Sequence, residues 1–559
     1  MKYIKLISLI GLFSILIFSC GKKNNLGKMI PKEAAIVVEL NTKSILSKLS
    51  WDEIKKTYWY NKLMTDSSIP STLKAFINDP AKTGIDVKSN MIFFVLKHDN
   101  NGQAIFEGSL KDSKAFAEFI KIMQPNAVLS KDGDLNIYKT DYSLIGWNNE
   151  KFAILNNTDS RNFMDSSSLN DSTKRAIPFA PPSSDSLEIT CKNIFKLSDD
   201  NSLYKNEKFA KLLDEDGDLH FWVNTNELSK GSMPGMSGMG GMIKFNKFLE
   251  DNISTATINF QDGKITGNHK QYFGKELSDI LKKGDGNLNT DMIKKLPTNN
   301  LAGLFSLHFT PGSLLEIIKL TGLDGFINLF LSAQGLSLDD VVKATKGDIL
   351  FAVTDISMIK DTAKKIKELT IQDTLINYYN KTDATYLFAV AVGDKDAFNK
   401  LLGFAYKMGK DSTPKNTFQK TDDKYFVISN KQDAVNKYFS GTQSNPEFIS
   451  RINDHPMGGF VDMQMILKAM QSEFTKDSIG NAYYVRNIAI WNNFSFTGGE
   501  YKNGGLVSNG ELNFLDKKTN SLKQLSQYVD DMAKIKEEER KKLRVNWTAD
   551  STRLQKDAF

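Results

Sequence analysis

Three short motifs would supply a serine nucleophile and a lysine base if they met in one cleft: Ser357-Met358-Ile359-Lys360, Ser198-Asp199-Asp200-Asn201 and Lys82-Thr83-Gly84. Acyl transfer by such a set needs the serine hydroxyl beside a lysine that takes its proton. Here the chain order is reversed and the middle motif is one residue too long. Lys82-Thr83-Gly84 also precedes its strand instead of riding on it. Gly235-Met236-Ser237-Gly238 lacks the spacing of a nucleophile elbow. The histidines His98, His220, His269, His308 and His455 are dispersed, and none has a histidine or cysteine at ligand spacing. Each reads as a strand or loop histidine held by ordinary hydrogen bonds. No catalytic residue is assigned, and the chain is expected not to be an enzyme.

Two acidic loops test for calcium. Asp214-Glu215-Asp216-Gly217-Asp218 opens like an EF-hand loop, but its glycine falls at the fourth place and Thr225 stands where the bidentate glutamate belongs. Asp285 to Asp291 alternates oxygen ligands, yet it also lacks the glycine and the closing acid. It reads as a polar linker. Met233, Met236, Met239 and Met242 recur every three residues among glycine, serine and proline. Thioethers so spaced suit Cu(I). They equally suit an adaptable apolar loop that packs on the body, a partner or lipid, and this second reading is preferred. No metal and no cofactor is expected.

One thiol has a specific chemistry. Lys2 and Lys5 precede an apolar run from Ile7 to Phe18, and Ser19 is the small residue before Cys20. The run is too short to span a bilayer, which takes about 20 apolar residues, and it reads as a secretory signal. Ile17-Phe18-Ser19-Cys20 resembles the lipobox of bacterial lipoproteins. That resemblance implies cleavage before Cys20 and a diacylglycerol on its sulfur. Cys191 then has no partner, since the chain holds 2 cysteines, and no disulfide framework is expected. Gly21 in place of aspartate favours an outer-membrane address. The basic and neutral Lys22-Lys23-Asn24-Asn25 favours the periplasmic face over the cell surface. Asp-Ser and Asp-Thr triplets at Ser172, Ser186, Thr362, Thr374, Ser412, Ser478 and Ser551 resemble the O-glycosylation sequon of exported Bacteroidetes proteins. Several of these aspartates would serve equally as helix N-caps.

The elements that must carry these residues come in pairs. Ile30-Pro31 and the apolar strand Ala35 to Leu40 answer Leu296-Pro297 and Leu301 to Phe309. Met91 to Leu96 answers Asp348 to Val353. Ala104 to Phe106 with the helix from Lys111 answers Leu387 to Val390 with the helix from Gly393. Hairpin-like strands around Leu135 to Leu155 answer those around Phe418 to Ile428. Leu219 to Val223 answers Gly459 to Met463, and Asn252 to Phe260 answers Asn487 to Phe496. Six paired features in one order predict an α+β fold: two tandem copies of a mixed unit, with mainly antiparallel sheets and covering helices. The division expected is a signal peptide at 1–19, a tether at 20–29, a first unit at 28–284 and a linker at 285–291. A second unit then spans 292–530, and a charged C-terminal helix and tail 531–559. Helices would cover one face of each sheet and leave the other for the sister copy or a partner.

Ile30-Pro31-Lys32-Glu33-Ala34-Ala35, Asn41-Thr42-Lys43-Ser44 and Lys48-Leu49-Ser50-Trp51-Asp52-Glu53-Ile54 resemble an uncharacterised family of Bacteroidetes lipoproteins, known only as a domain of unknown function. The resemblance implies a lipid-anchored envelope protein with a duplicated layout, and brings no active site. The 72 basic and 66 acidic residues of this 559-residue chain are mixed along it, giving a net charge of +6. No basic stripe for nucleic acid exists. The expected function is a non-catalytic interaction or accessory subunit of an outer-membrane assembly, with other envelope or outer-membrane proteins as partners. The alternatives are a carrier of apolar ligands, either lipid or outer-membrane protein, and a hydrolase with a site assembled from scattered residues.

Overall fold

The computed structural model describes residues 26–556 apart from 99–100, 141–142, 160–183, 230–248, 285, 299, 365–375, 409–416, 442–443 and 445–447. The chain divides into two compact units. The first ends at Gly274, and the second is built mainly from Lys275 onward, with Asp262–Thr266 belonging to it. Both are α+β with antiparallel sheets.

The first unit contains β1 (Ile36–Leu40), β2 (Met91–His98), β3 (Asn101–Ser109), β4 (Val128–Asp132), β5 (Leu135–Lys139), β6 (Ser143–Trp147), β7 (Lys151–Asp159), β8 (Leu219–Asn224), β9 (Ile253–Gln261) and β10 (Lys264–Tyr272). Spatially they run β9-β8-β1-β2-β3-β7-β6-β5-β4, each pair antiparallel, with β10 beside β9. Successive side chains point to opposite faces, so an uninterrupted apolar run such as Phe152-Ala153-Ile154-Leu155 feeds two cores. Ala153 and Leu155 join Val37, Phe94, Ile105 and Leu144 beneath the Ser184–Phe195 and Glu207–Asp214 helices. There the sulfur of Cys191 lies so close over Gly146 that a Cβ on that glycine would stand 2.2 Å from it. Phe152 and Ile154 join Met91, Ile145 and Trp147 on the opposite face. That face is covered by the Trp51–Lys55, Tyr58–Thr65, Ser71–Asn78 and Ser113–Met123 helices. Ser50 and Glu53 form a reciprocal capping box at the first of these, and Asp112 caps the last. The expectation of one open face is therefore wrong for the middle of this sheet, where β2, β3, β5, β6 and β7 carry apolar side chains on both sides and helices fill both.

The second unit contains β11 (Leu301–His308), β12 (Thr345–Lys364), β13 (Ile376–Val392), β14 (Phe418–Thr421), β15 (Tyr425–Ser429), β16 (Met457–Asp462), β17 (Trp491–Lys502) and β18 (Gly505–Phe514). The spatial order is β18-β17-β16-β11-β12-β13-β15-β14, again antiparallel throughout. Leu304, Leu350, Ala352, Leu387, Ala389 and Val427 form its core with Val435, Tyr438 and Ile452 of the Gln432–Phe439 and Ile449–Ile452 helices. On the other side the Pro311–Leu320, Asp324–Ser332, Leu338–Ala344 and Lys395–Met408 helices form a lobe with its own small core. Leu331, Leu336 and Leu338 pack there with Leu315, Ile318, Ile327, Val341, Leu401 and Phe404, and no strand residue takes part.

Beyond the sheet, β12 and β13 continue as a two-stranded ribbon from Ser357↔Asp383 to Lys364↔Ile376. A register shift falls between Thr354 and Ser357, with Asp355 left-handed at φ 52°. The C-terminal helix starts at Ser521, ahead of the expected 531, and runs to Lys556. It is tied to the Ser478–Ile490 helix and its end. The Tyr528 hydroxyl donates to Asn487 at 3.0 Å, Lys542 donates to Ser478 at 2.6 Å, and the Trp491 and Tyr528 rings lie 5.2 Å apart. Among the described residues no helix is long and apolar enough to cross a membrane.

Candidate functional site

Because the lobe packs on itself, one face of the second sheet keeps its apolar side chains without a full cover. Register places Phe388 opposite Phe351, Phe351 opposite Phe305, Phe305 opposite Gly459, and Gly459 opposite Phe496. All five positions therefore share one face. The adjacent row on that face is Tyr386, Val353, Gly303, Val461 and Phe494. Phe305 is 36% exposed, Phe351 42% and Tyr386 46%, whereas their neighbours along each strand, Leu304, Ala352 and Leu387, are buried. Gly459 has a mechanical role in the row. A Cβ there would meet Phe496 Cε1 at 2.2 Å, so the bare α-carbon lets that ring lie flat across the strand. The Phe305 and Phe496 centroids are 6.3 Å apart, and Phe494 lies 6.0 Å from Phe496. A contiguous apolar surface of this kind is costly to leave in water.

Polar chemistry is concentrated elsewhere and is internally satisfied. In the first unit Asp218 is buried. It accepts from Lys48 Nζ at 2.6 Å, Ser44 Oγ at 2.6 Å and the Phe260 backbone N–H at 2.6 Å. Its oxygens thus face donors supplied by the fold itself. Beside it Glu39 and His220 form a buried pair across β1 and β8; Asn90 donates to Glu39, and Glu215 O lies 3.0 Å from His220 Nε2. Burial presses the imidazole pKa down, but the hydrogen bond and charge of Glu39 outweigh it, and the net displacement is upward. In the second unit His308 pairs with Asp348 at 2.8 Å and His455 with Glu500. His269 bonds Ser254 at 2.7 Å. The satisfied histidine expected from sequence describes these four.

Glu107 has no such partner. It is fully buried on β3, and neither carboxylate oxygen has a hydrogen bond. Burial raises its pKa to about 8 against the opposing charge of Lys151. Sequence reasoning missed it, because a glutamate in an alternating strand reads as solvent-facing. A cleft of about 470 Å³ in the second unit is lined by Asp291, Lys294, Lys295, Asp422, Asp423, Lys424, Tyr425 and Gly441. Its lysines and aspartates match in number, and Asp423 is bound to Lys395 at 2.7 Å. Among the described residues no group of three or more His, Cys, Asp or Glu side chains could hold a metal ion.

Cys20, the four methionines Met233, Met236, Met239 and Met242, and Ser172, Thr374 and Ser412 lie outside the described residues. Thr362 falls on β12 and Ser551 on the C-terminal helix. Ser186 sits in the Ser184–Phe195 helix and accepts from Gln103 at 3.3 Å. Ser478 is exposed, and its neighbour Asp477 is the N-cap of the Ser478–Ile490 helix. The three serine and lysine motifs stay apart in kind: Lys82-Thr83 ends a 3-10 turn, Ser198 begins another, and Ser357–Lys360 lies in the ribbon.

Residues 26–176 match a family model described as a domain of unknown function, DUF4836. No curated protein matches the chain. Crystal form III of TP0453 is similar at 9% identity and a TM-score of 0.24, over 45% of this chain and 81% of that one. Crystal form IV of TP0453 is similar at 8% identity and a TM-score of 0.23, over 47% and 89%. At such scores the likeness is too slight to bear on function.

Proposed function

We propose that this chain is a non-catalytic protein of the bacterial cell envelope, of Bacteroidetes type, tethered by a lipid on Cys20. It acts as an interaction or accessory subunit of an outer-membrane assembly from the periplasmic side. The observation that carries the reading is the Phe388, Phe351, Phe305 and Phe496 row on an incompletely covered sheet face. Apolar side chains left accessible in a well-packed unit are the raw material of a protein interface. Two copies of one unit also belong to the proposal. The orders β9-β8-β1-β2-β3-β7 and β17-β16-β11-β12-β13-β15 support it, because they place the paired sequence segments at equivalent sheet positions. A second reading, a carrier of apolar ligands, is favoured by the lobe that keeps its core off the sheet.

Purification from detergent-solubilised membranes tests both. A stoichiometric protein that is lost when Phe305 and Phe351 become threonine supports the interface. Lipid lost by the same substitutions supports the carrier. Recovery of the wild-type chain alone and ligand-free rejects both. Mass spectrometry of the mature N-terminus checks the tether, and an unacylated Cys20 rejects it.

A further inference from the structure

We infer that residues 26–30 form a strap over Glu107, seated while that carboxyl is neutral and released when it ionises. In the first unit the Ser184–Phe195 helix lies over β5, β6 and β7, and the Glu207–Asp214 helix over β8 and β9. The Leu26–Met29 turn closes the strip between them by packing on β2 and β3. Register puts Ile92 and Ala153 on either side of Glu107 in one row, with Ile105 two places along β3 on the same face. Met29 and Ile30 share a core with Ile92, Ile105 and Ala153 and are 5% and 0% exposed, so the turn seals the carboxyl from water. The strap itself is lightly held. Leu203 donates its backbone N–H to Ile30 O at 2.8 Å, and Ser202 Oγ donates to Gly27 O at 3.0 Å.

A buried carboxyl with both oxygens unpartnered needs a physical reason. The charges around it are few. Lys151 is on the same face of β7, diagonal to Glu107, and it is the charge that acts on the carboxyl. Lys28 of the turn, over the Tyr204 ring at 5.9 Å, and Glu150 act on Lys151. On the other side β2 offers Asn90, Ile92 and Phe94, none charged, and beyond it Glu39 and His220 face each other. The flanking helices direct their charges to other partners, Glu188 to Lys192 at 2.9 Å and Lys208 to the Tyr272 ring at 4.9 Å. An ionised Glu107 is therefore a charge in an apolar core, and water reaches it at least cost where the chain can lift without breaking a strand. The strap is that place. Lifting it releases a proton, so the strap is fully seated below the ordinary carboxyl range. Its hold weakens as pH rises toward about 8, above which the carboxyl is ionised in both forms. Where Cys20 carries lipid, as proposed above, release adds residues 26–31 to the tether at roughly 3.5 Å each. The strap does not depend on that lipid.

Hydrogen exchange on the full chain in detergent tests this, read as protection factors with the intrinsic pH dependence of exchange removed. In peptides covering 26–34 and 198–206, protection should fall by about tenfold per pH unit between roughly pH 5 and 8. The exchange should be insensitive to low urea, as for a local opening. Glu107→Gln should keep protection high and flat. Lys151→Met should carry the fall to higher pH, since it removes the charge that favours the carboxylate. Protection independent of pH, a slope that survives Glu107→Gln, or a slope seen only in urea-sensitive exchange overturns the inference. Mass spectrometry of the N-terminus reads the lipid separately, so an unacylated Cys20 leaves this result standing.

Discussion

Phe496 lies across the α-carbon of Gly459, its cross-strand neighbour, in the space a β-carbon would occupy. The contact joins the rings of β17 to Phe305 of β11 over a position of β16 that has no side chain. Gly459→Ala should therefore lift Phe496 and break the row. Overpacking of this kind costs about 1–3 kcal/mol. A lowered midpoint in urea, together with weaker binding of an apolar dye, is the expected outcome. An unchanged midpoint would show that the ring has room to move.

Phe305→Thr and Phe351→Thr put strand-favouring β-branched residues in place of two half-exposed rings. Stability should change by no more than about 1 kcal/mol, as for partly exposed positions. Binding of the partner or lipid proposed above should fall at least several-fold. A large loss of stability would instead identify the rings as core.

Asp218→Ala removes the acceptor shared by Lys48, Ser44 and the Phe260 amide. Lys48 keeps some contact with water, so the loss should fall near the lower end of the range for a broken buried pair, about 3 kcal/mol. Thermal unfolding in the two backgrounds measures it. Lys48→Met alone should cost less than Asp218→Ala, because the serine and amide bonds remain.

The pH dependence has a defined sign. Glu107 binds its proton more tightly folded than unfolded, so its contribution is complete below the ordinary carboxyl range and is lost as pH rises toward about 8. His220, displaced upward, likewise contributes below its unfolded value and loses that contribution as pH rises through its folded one. Stability should fall between roughly pH 4.5 and 8. Glu107→Gln should flatten the slope and leave the His220 component. Denaturant midpoints at pH 5, 6.5 and 8, values chosen to bracket that window, check this; a slope unchanged in the variant would place the carboxylate in contact with solvent.

Much of the strand framework is legible in the sequence, because Ala35 to Leu40 and Leu301 to Phe309 are apolar runs bounded by proline and polar residues. The ribbon is not, since Asp355 to Lys364 is polar enough to read as a loop, and its pairing with 376–383 is the only sign of strand. The open face is equally invisible. Phe305 and Leu304 are both apolar, and sequence cannot tell which one a helix will cover. The Glu39–His220 pair spans 181 residues, and no local spacing announces it. The second core of the first unit was missed for a related reason: alternation implies one wet face, whereas Phe152 to Leu155 has none.

Cys191 projects from the inner side of the Ser184–Phe195 helix against Gly146, and burial pushes its thiol up to about 12. The folded first unit thus keeps this sulfhydryl unreactive, and the chain cannot be cross-linked through it while that helix is seated. Whenever the helix peels away the sulfur comes within reach. The alkylation rate at this one atom is accordingly a gauge of how often the first unit opens, readable on the intact chain without any engineered probe.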